Sequence, residues 1–224
     1  ISINLEAPNT ERLEKLAPRK QFIAELLQPL KWIQQIRLTQ PAYQGWNAHW
    51  PSSVTQFVIS AVGESDLELL STTDYLYSQL KLKRTYYSSF DPIPDTPLEN
   101  QPPGNPTREH RLYEASFLLR DYGFSLEEMP FNINGQLPLD TDPKSAWAKI
   151  NLLGHPIEIN RAEKQELLRI PGIGPKSVNA ILSARIKNKF TQSGQLRALG
   201  VNIVRSAPFI LINGKHADFQ TSFL

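Results

Sequence analysis

The 224-residue sequence has no cysteine. That excludes a disulfide framework, a thiolate nucleophile, a thiolate zinc site and a cysteine-ligated iron–sulfur cluster on this chain. Histidine is scarce: His49, His110, His155 and His216 are the only four. No two stand at metal-ligand spacing, so no metal site is expected. No apolar run reaches the roughly 20 residues that span a bilayer, and no signal peptide is visible. The default expectation is therefore a cytoplasmic protein. The chain also lacks an initiating Met, its one methionine being Met129. It opens on Ile1-Ser2-Ile3-Asn4-Leu5-Glu6, which alternates like the middle of a strand. A missing natural beginning is the expectation.

Hydrophobic residues at 40% and charged residues at 21% are ordinary for a globular chain with a buried core. The formal net charge of +2 hides an asymmetry. Residues 1–150 hold fourteen Lys/Arg against eighteen Asp/Glu, and residues 151–224 ten against four, so a −4 body precedes a +6 tail. A basic tail points to a polyanionic partner or simply to a basic surface.

The coarse pattern alternates strands and helices. Asn9 or Thr10 can cap a helix through Leu16. Residues 21–35 read as a second helix that Pro29 should kink or break. Tyr43, Trp46 and Trp50 lie in an aromatic loop. Residues 55–62 read as a strand buried on both faces. Ser65-Asp66 can cap a helix over 67–80, and residues 84–90 follow as a strand. Strand, helix, strand implies parallel neighbours joined by a crossover. Six prolines between Asp91 and Pro106 predict an extended segment, and residues 107–122 a helix. Residues 125–142 read as irregular, and Asp142-Pro143 as the opening of a short helix.

The tail carries the sharpest motif. Asn160 is expected to cap a helix, with Glu163 completing a capping box. Ile170-Pro171-Gly172-Ile173-Gly174-Pro175-Lys176 follows. Gly172 and Gly174 permit positive φ and leave the backbone bare. Pro175 suits the first position of the next helix. Such a hairpin offers peptide N–H groups and a helix dipole to a phosphate, and Lys176 adds charge beside them. Contacts of this kind hold a nucleic-acid backbone without reading its bases. The alternative is a tight helical hairpin with no ligand.

Residues 167–181 resemble the helix-hairpin-helix DNA-binding motif. A weaker copy follows 28 residues later, with Leu168, Arg169, Gly172 and Ile173 mapping to Leu196, Arg197, Gly200 and Val201. It lacks the first Pro, and Asn202 replaces the second Gly. Gly172, Ile173, Gly174, Lys176, Ser177, Gly200, Val201 and Arg205 are the candidate DNA-binding residues, Arg205 as a side-chain substitute for a missing amide. A tandem pair, as in that superfamily, would engage the phosphates of both strands of double-stranded DNA. A purely structural pseudo-repeat is the alternative for the second copy.

The body carries a second resemblance. Phe57-Val58-Ile59-Ser60-Ala61-Val62-Gly63-Glu64 resembles the strand-end motif of radical S-adenosylmethionine (SAM) enzymes, written G-x-I-x-G-x-x-G-E. Phe57 and Ala61 replace its first two glycines, while Ile59, Gly63 and Glu64 match. The chain as a whole resembles a family of DNA modification or repair radical SAM proteins. The similarity runs through Ile3-Asn4-Leu5-Glu6-Ala7-Pro8, Tyr86-Tyr87-Ser88-Ser89-Phe90 and Arg108-Glu109-His110-Arg111-Leu112-Tyr113 to the hairpin.

The resemblance implies an α/β fold. Residues 1–106 would be the C-terminal part of a radical SAM-type partial barrel. Residues 107–156 would be a helical linker, and 157–224 a small all-α tandem helix-hairpin-helix domain. It implies SAM and a 4Fe–4S cluster as cofactors of a longer parent, with Asn4, Glu6, Gly63 and Glu64 as SAM-site candidates. Ser88 and Phe90 would sit at the rim of that site. This chain, lacking cysteine, is expected to be inactive alone. The missing half-barrel and a uracil-DNA-glycosylase-like protein are the implied protein partners. The competing reading is a stand-alone double-stranded DNA-binding scaffold without catalysis.

Overall fold

The computed structural model describes residues 1–43 and 48–217. Trp46, named above, lies outside them, as does the end of the tail. The fold is mixed α/β with small sheets. The chain forms two compact units. The first comprises residues 1–116 and 131–139, the second residues 117–130 and 140–224. The stretch 107–156, read above as one linker, is thus shared between them.

In the first unit, β1 (Val54–Ile59) pairs in parallel with β2 (Arg84–Ser89), Phe57 lying opposite Tyr87. The helix between them, α3 (Asp66–Ser78), starts at Ser65 in a reciprocal capping box with Glu68. Leu69, Leu70 and Leu76 bury one face of α3. β1 is not buried on both faces: its residues alternate, with Thr55, Phe57 and Ile59 inside. The opening segment is an interrupted strand rather than a continuous one. It bridges β1 in parallel at Ser2–Val54 and Glu6–Phe57. Between the bridges the Leu5 amide turns to the Thr55 hydroxyl at 3.0 Å, and Glu6 takes φ 64°.

α1 (Thr10–Leu16) is capped by the Asn9 side chain, which accepts from the Arg12 amide. The break expected at Pro29 takes a specific form. A π-helical turn over Phe22–Leu27 runs into α2 (Gln28–Thr39), where Pro29 occupies the first turn and needs no amide partner. α4 (Pro106–Asp121) follows the proline-rich segment, and the division between the units falls inside it.

The second unit holds α5 (Pro143–Asn151), capped by Asp142, then α6 (Lys164–Arg169), α7 (Pro175–Lys187), α8 (Ser193–Ala198) and α9 (Ile203–Ser206). It is not all-α. β3 (Ile157–Glu158) pairs in parallel with β4 (Ile210–Ile212), which pairs antiparallel with β5 (Lys215–His216). The sheet arises because Ile210 and Ile212 must reach the core, while the turn at Asn213-Gly214 returns the chain. Asn160 does not cap this helix: the N-cap of α6 is Glu163, boxed with Glu166. Asn160 instead ties the Phe190 carbonyl and amide and the Asn213 side chain.

Candidate nucleic-acid interface

Residues 170–174 form the turn between α6 and α7. Leu167, Leu168, Ile170 and Ile173 are all buried in the second unit's core, so the turn is anchored from inside. Ile173 faces that core, and its amide donates to the Ile170 carbonyl, so it braces the turn and offers no free amide to a ligand. Gly172 sits at φ 80°, a conformation suited to glycine. Gly174 does not: at φ −108°, ψ 174° it is an extended N-cap that any residue could adopt. Pro175 is the first residue of α7 and has no amide to orphan. Gly174 has no side chain with which to cap, so the amides of Lys176 and Ser177 open the helix without side-chain acceptance from the N-cap. Lys176 is exposed beside them.

The weaker copy reproduces this backbone. Gly200 also has φ 80°, and Asn202 takes the N-cap place of Gly174, accepting from the Arg205 amide with its own side chain. That side chain consumes an amide the first turn leaves open. α9 is a single turn, so it contributes little helix dipole. Arg205 is engaged with Asp142 at 2.7 Å and with Ser145 at 3.1 Å. Val201 is buried.

The two turns pack against each other. The Asn202 amide donates to the Gly172 carbonyl at 3.0 Å, and the Ser177 hydroxyl to the Gly200 carbonyl at 3.0 Å. Any Cβ on Gly172 would lie 2.5 Å from the Asn202 carbonyl oxygen. Gly172 is therefore required by the packing of the repeats. Bareness toward a ligand is a property of Gly174. Ser177, 8% exposed, serves the same packing.

A group that the sequence did not single out completes the site. Lys144, in the first turn of α5, is 8% exposed. Its Nζ donates to the Ile173 carbonyl at 2.6 Å and lies 4.6 Å from the centre of the Tyr122 ring. Burial pushes its pKa down, helped by the charges of Arg205 and Arg169 and opposed by Asp142, to about 7. Arg169, at the end of α6, clamps the same region through Glu128 and the Tyr122 and Gly123 carbonyls.

The strand-end candidates in the first unit are placed differently. Counted from Ile59, Gly63-Glu64 fall one residue short of the motif they resemble. The Glu64 side chain is fully buried. It accepts from the Ser60 and Val62 amides and from Arg108 Nη1 at 2.9 Å. Arg108 also reaches the Glu64 carbonyl, the Ser60 hydroxyl and Asp66. Burial raises the Asp66 pKa, against the pull of Arg108 and the Leu137 amide. Arg12 holds the same loop through the Val62 carbonyl and both Glu68 oxygens. Burial would raise Glu68, but bonds from Arg12, the Ser65 amide and Asn9 outweigh it and draw the pKa down to about 2. Glu64 is thus a loop anchor with its oxygens occupied.

Gly63 is exposed at φ 74°, and a Cβ there would lie 3.8 Å from Arg12 Nη1. Asn4 is exposed and accepts from the Ser2 hydroxyl, and Glu6 pairs with Lys20 at 3.3 Å. Among the described residues no cluster of His, Asp or Glu is arranged to hold a metal ion. No described helix is long and apolar enough to cross a membrane. Comparison with family models, with curated proteins and with solved structures gives no match.

Proposed function

We propose that this chain binds double-stranded DNA without sequence preference, gripping one phosphate with the open amides of the α6–α7 turn. The observation that carries this reading is the Gly174-Pro175 start of α7, a thirteen-residue helix with an uncapped first turn and exposed Lys176 beside it. Helix dipole, bare amides and a lysine together favour a phosphate over other ligands. The second turn plays a smaller part, since Asn202 closes its own cap and Arg205 is already paired. Its main role is to brace the first.

We further read the chain as the C-terminal part of a DNA modification or repair radical SAM protein, on the family resemblance. The residues here do not fit the 4Fe–4S cluster, because the sequence offers no thiolate. Glu64 offers no free oxygen to SAM, its acceptor sites being taken by Arg108 and the loop amides. Any SAM contacts from this chain fall to Asn4, Glu6 and Gly63. The stand-alone DNA-binding scaffold gains from the same two observations.

The test is a salt series of duplex affinities on the full chain, with Gly174→Val and Lys176→Ala. Gly174 has ordinary backbone angles, and its Cβ would touch only the Tyr122 hydroxyl at 3.4 Å, so a side chain there covers the amides without unfolding the turn. The expected result is binding that weakens steeply with salt and falls at least about tenfold in Gly174→Val. Unchanged affinity in that variant overturns the amide–phosphate grip.

A further inference from the structure

An open cleft of about 590 Å³ lies beside the turn, lined by Phe117, Arg120, Asp121, Tyr122 and Pro175. Pro175 belongs both to the cleft and to the first turn of α7, so the cleft adjoins the open amides. Two aromatic rings and a proline ring give it flat apolar surfaces. Tyr122 is fixed in place: Lys144 Nζ sits against its ring, its carbonyl takes Arg169, and its hydroxyl lies near Gly174. Asp121 would repel a polyanion, but Arg120 pairs with it through Nε at 2.9 Å and Nη2 at 2.7 Å. The Arg120 guanidinium also lies 5.1 Å from the Phe117 ring centre. The wall therefore presents aromatic rings and a neutralised acid.

We propose that this cleft receives one unpaired nucleobase of the DNA strand whose phosphate the α6–α7 turn holds, an inference that rests on the DNA reading above. The volume is within the range of roughly 300–1,000 Å³ usual for small-ligand clefts. Every base has a π-face, so stacking on Phe117 or Tyr122 is tolerant of sequence, as the backbone grip is. A base inside an intact duplex is already stacked on its neighbours and gains nothing by entering. The preferred ligand is thus DNA with a bulge, gap or frayed end. Lys144 and Arg169 act as positioning residues that hold Tyr122 at the wall.

The experiment is fluorescence anisotropy of the full chain with two labelled probes of equal length, a perfect duplex and one carrying a single-nucleotide bulge. A second bulge probe carries 2-aminopurine at the extra position, whose emission is quenched by stacking. The expected result is about a tenfold preference for the bulge, quenching on binding, and collapse of the preference toward one in Phe117→Leu and Tyr122→Leu. Thermal midpoints of the variants check their folding; if Tyr122→Leu unfolds, Phe117→Leu carries the comparison. Equal affinity of the wild type for both probes, or a preference that both folded variants retain, overturns the cleft while leaving the duplex grip standing. Failure to bind either probe overturns the DNA reading as well.

Discussion

The strand-end loop of the first unit and the α6–α7 turn of the second are both short glycine-containing bends with charged residues beside them. They use their polar groups in opposite ways. In the loop, Glu64, Asp66 and Glu68 are saturated by Arg108, Arg12 and nearby amides. In the turn, the carbonyls of Ile173 and Gly172 are taken by Lys144 and Asn202, but the amides opening α7 receive no cap from Gly174. The same inventory of charge and backbone thus makes a closed anchor in one place and leaves an uncapped helix start in the other. What decides is whether the donors of the bend meet acceptors within their own unit.

The largest effect that would break this contrast is at Arg108. Arg108→Ala should cost about 3–5 kcal/mol in chemical denaturation, because Glu64 and Asp66 would remain buried without a cation. Little change there would mean that the loop carboxylates are not anchors after all. Next comes Lys144. Its folded pKa of about 7 lies below the ordinary lysine value of 10.5, so from about pH 7 upward the unfolded chain holds more protons than the folded one. Stability should therefore rise with pH, on the order of 2 kcal/mol between about pH 7 and 8.5, and level off at lower pH. Lys144→Met should flatten that rise, as read from denaturation midpoints across the pH series.

Gly172→Ala sharpens the comparison on the side of the turn. The added Cβ meets the Asn202 carbonyl, at a backbone angle that L-residues avoid. A loss of about 1–3 kcal/mol is expected, accompanied by weakened DNA binding. Gly174→Ala should leave stability nearly unchanged. Lys176→Ala is the smallest perturbation: no stability change, and a salt slope of duplex binding reduced by about one unit. An unaltered slope would take Lys176 out of the interface.

Much of this was legible from local chemistry. Asn9 and Ser65 were readable as caps, Pro175 as the first residue of a helix, and β1–α3–β2 as parallel neighbours about a crossover. Local signals failed where a distant residue decided the outcome. Asn160 looked like a cap because Glu163 follows it, yet its amide group is used by Phe190 and Asn213. Glu64 looked like a strand-end ligand because its partner Arg108 lies 44 residues away. Lys144 gave no signal at all, since burial of a lysine depends on the carbonyl and the ring that tertiary packing brings to it. Both glycines of the turn looked alike in sequence; the positive φ of Gly172 and its contact with Asn202 separate it from the extended Gly174.

A sugar–phosphate chain gripped by the α6–α7 turn should perturb the amides of that turn first. Backbone amide chemical shifts of the full chain, followed while a short duplex is titrated in at low salt, test this directly. The largest changes should fall on Gly174, Lys176 and Ser177, with smaller ones near Gly200. Changes centred on the strand-end loop around Gly63, or none at the start of α7, would contradict it.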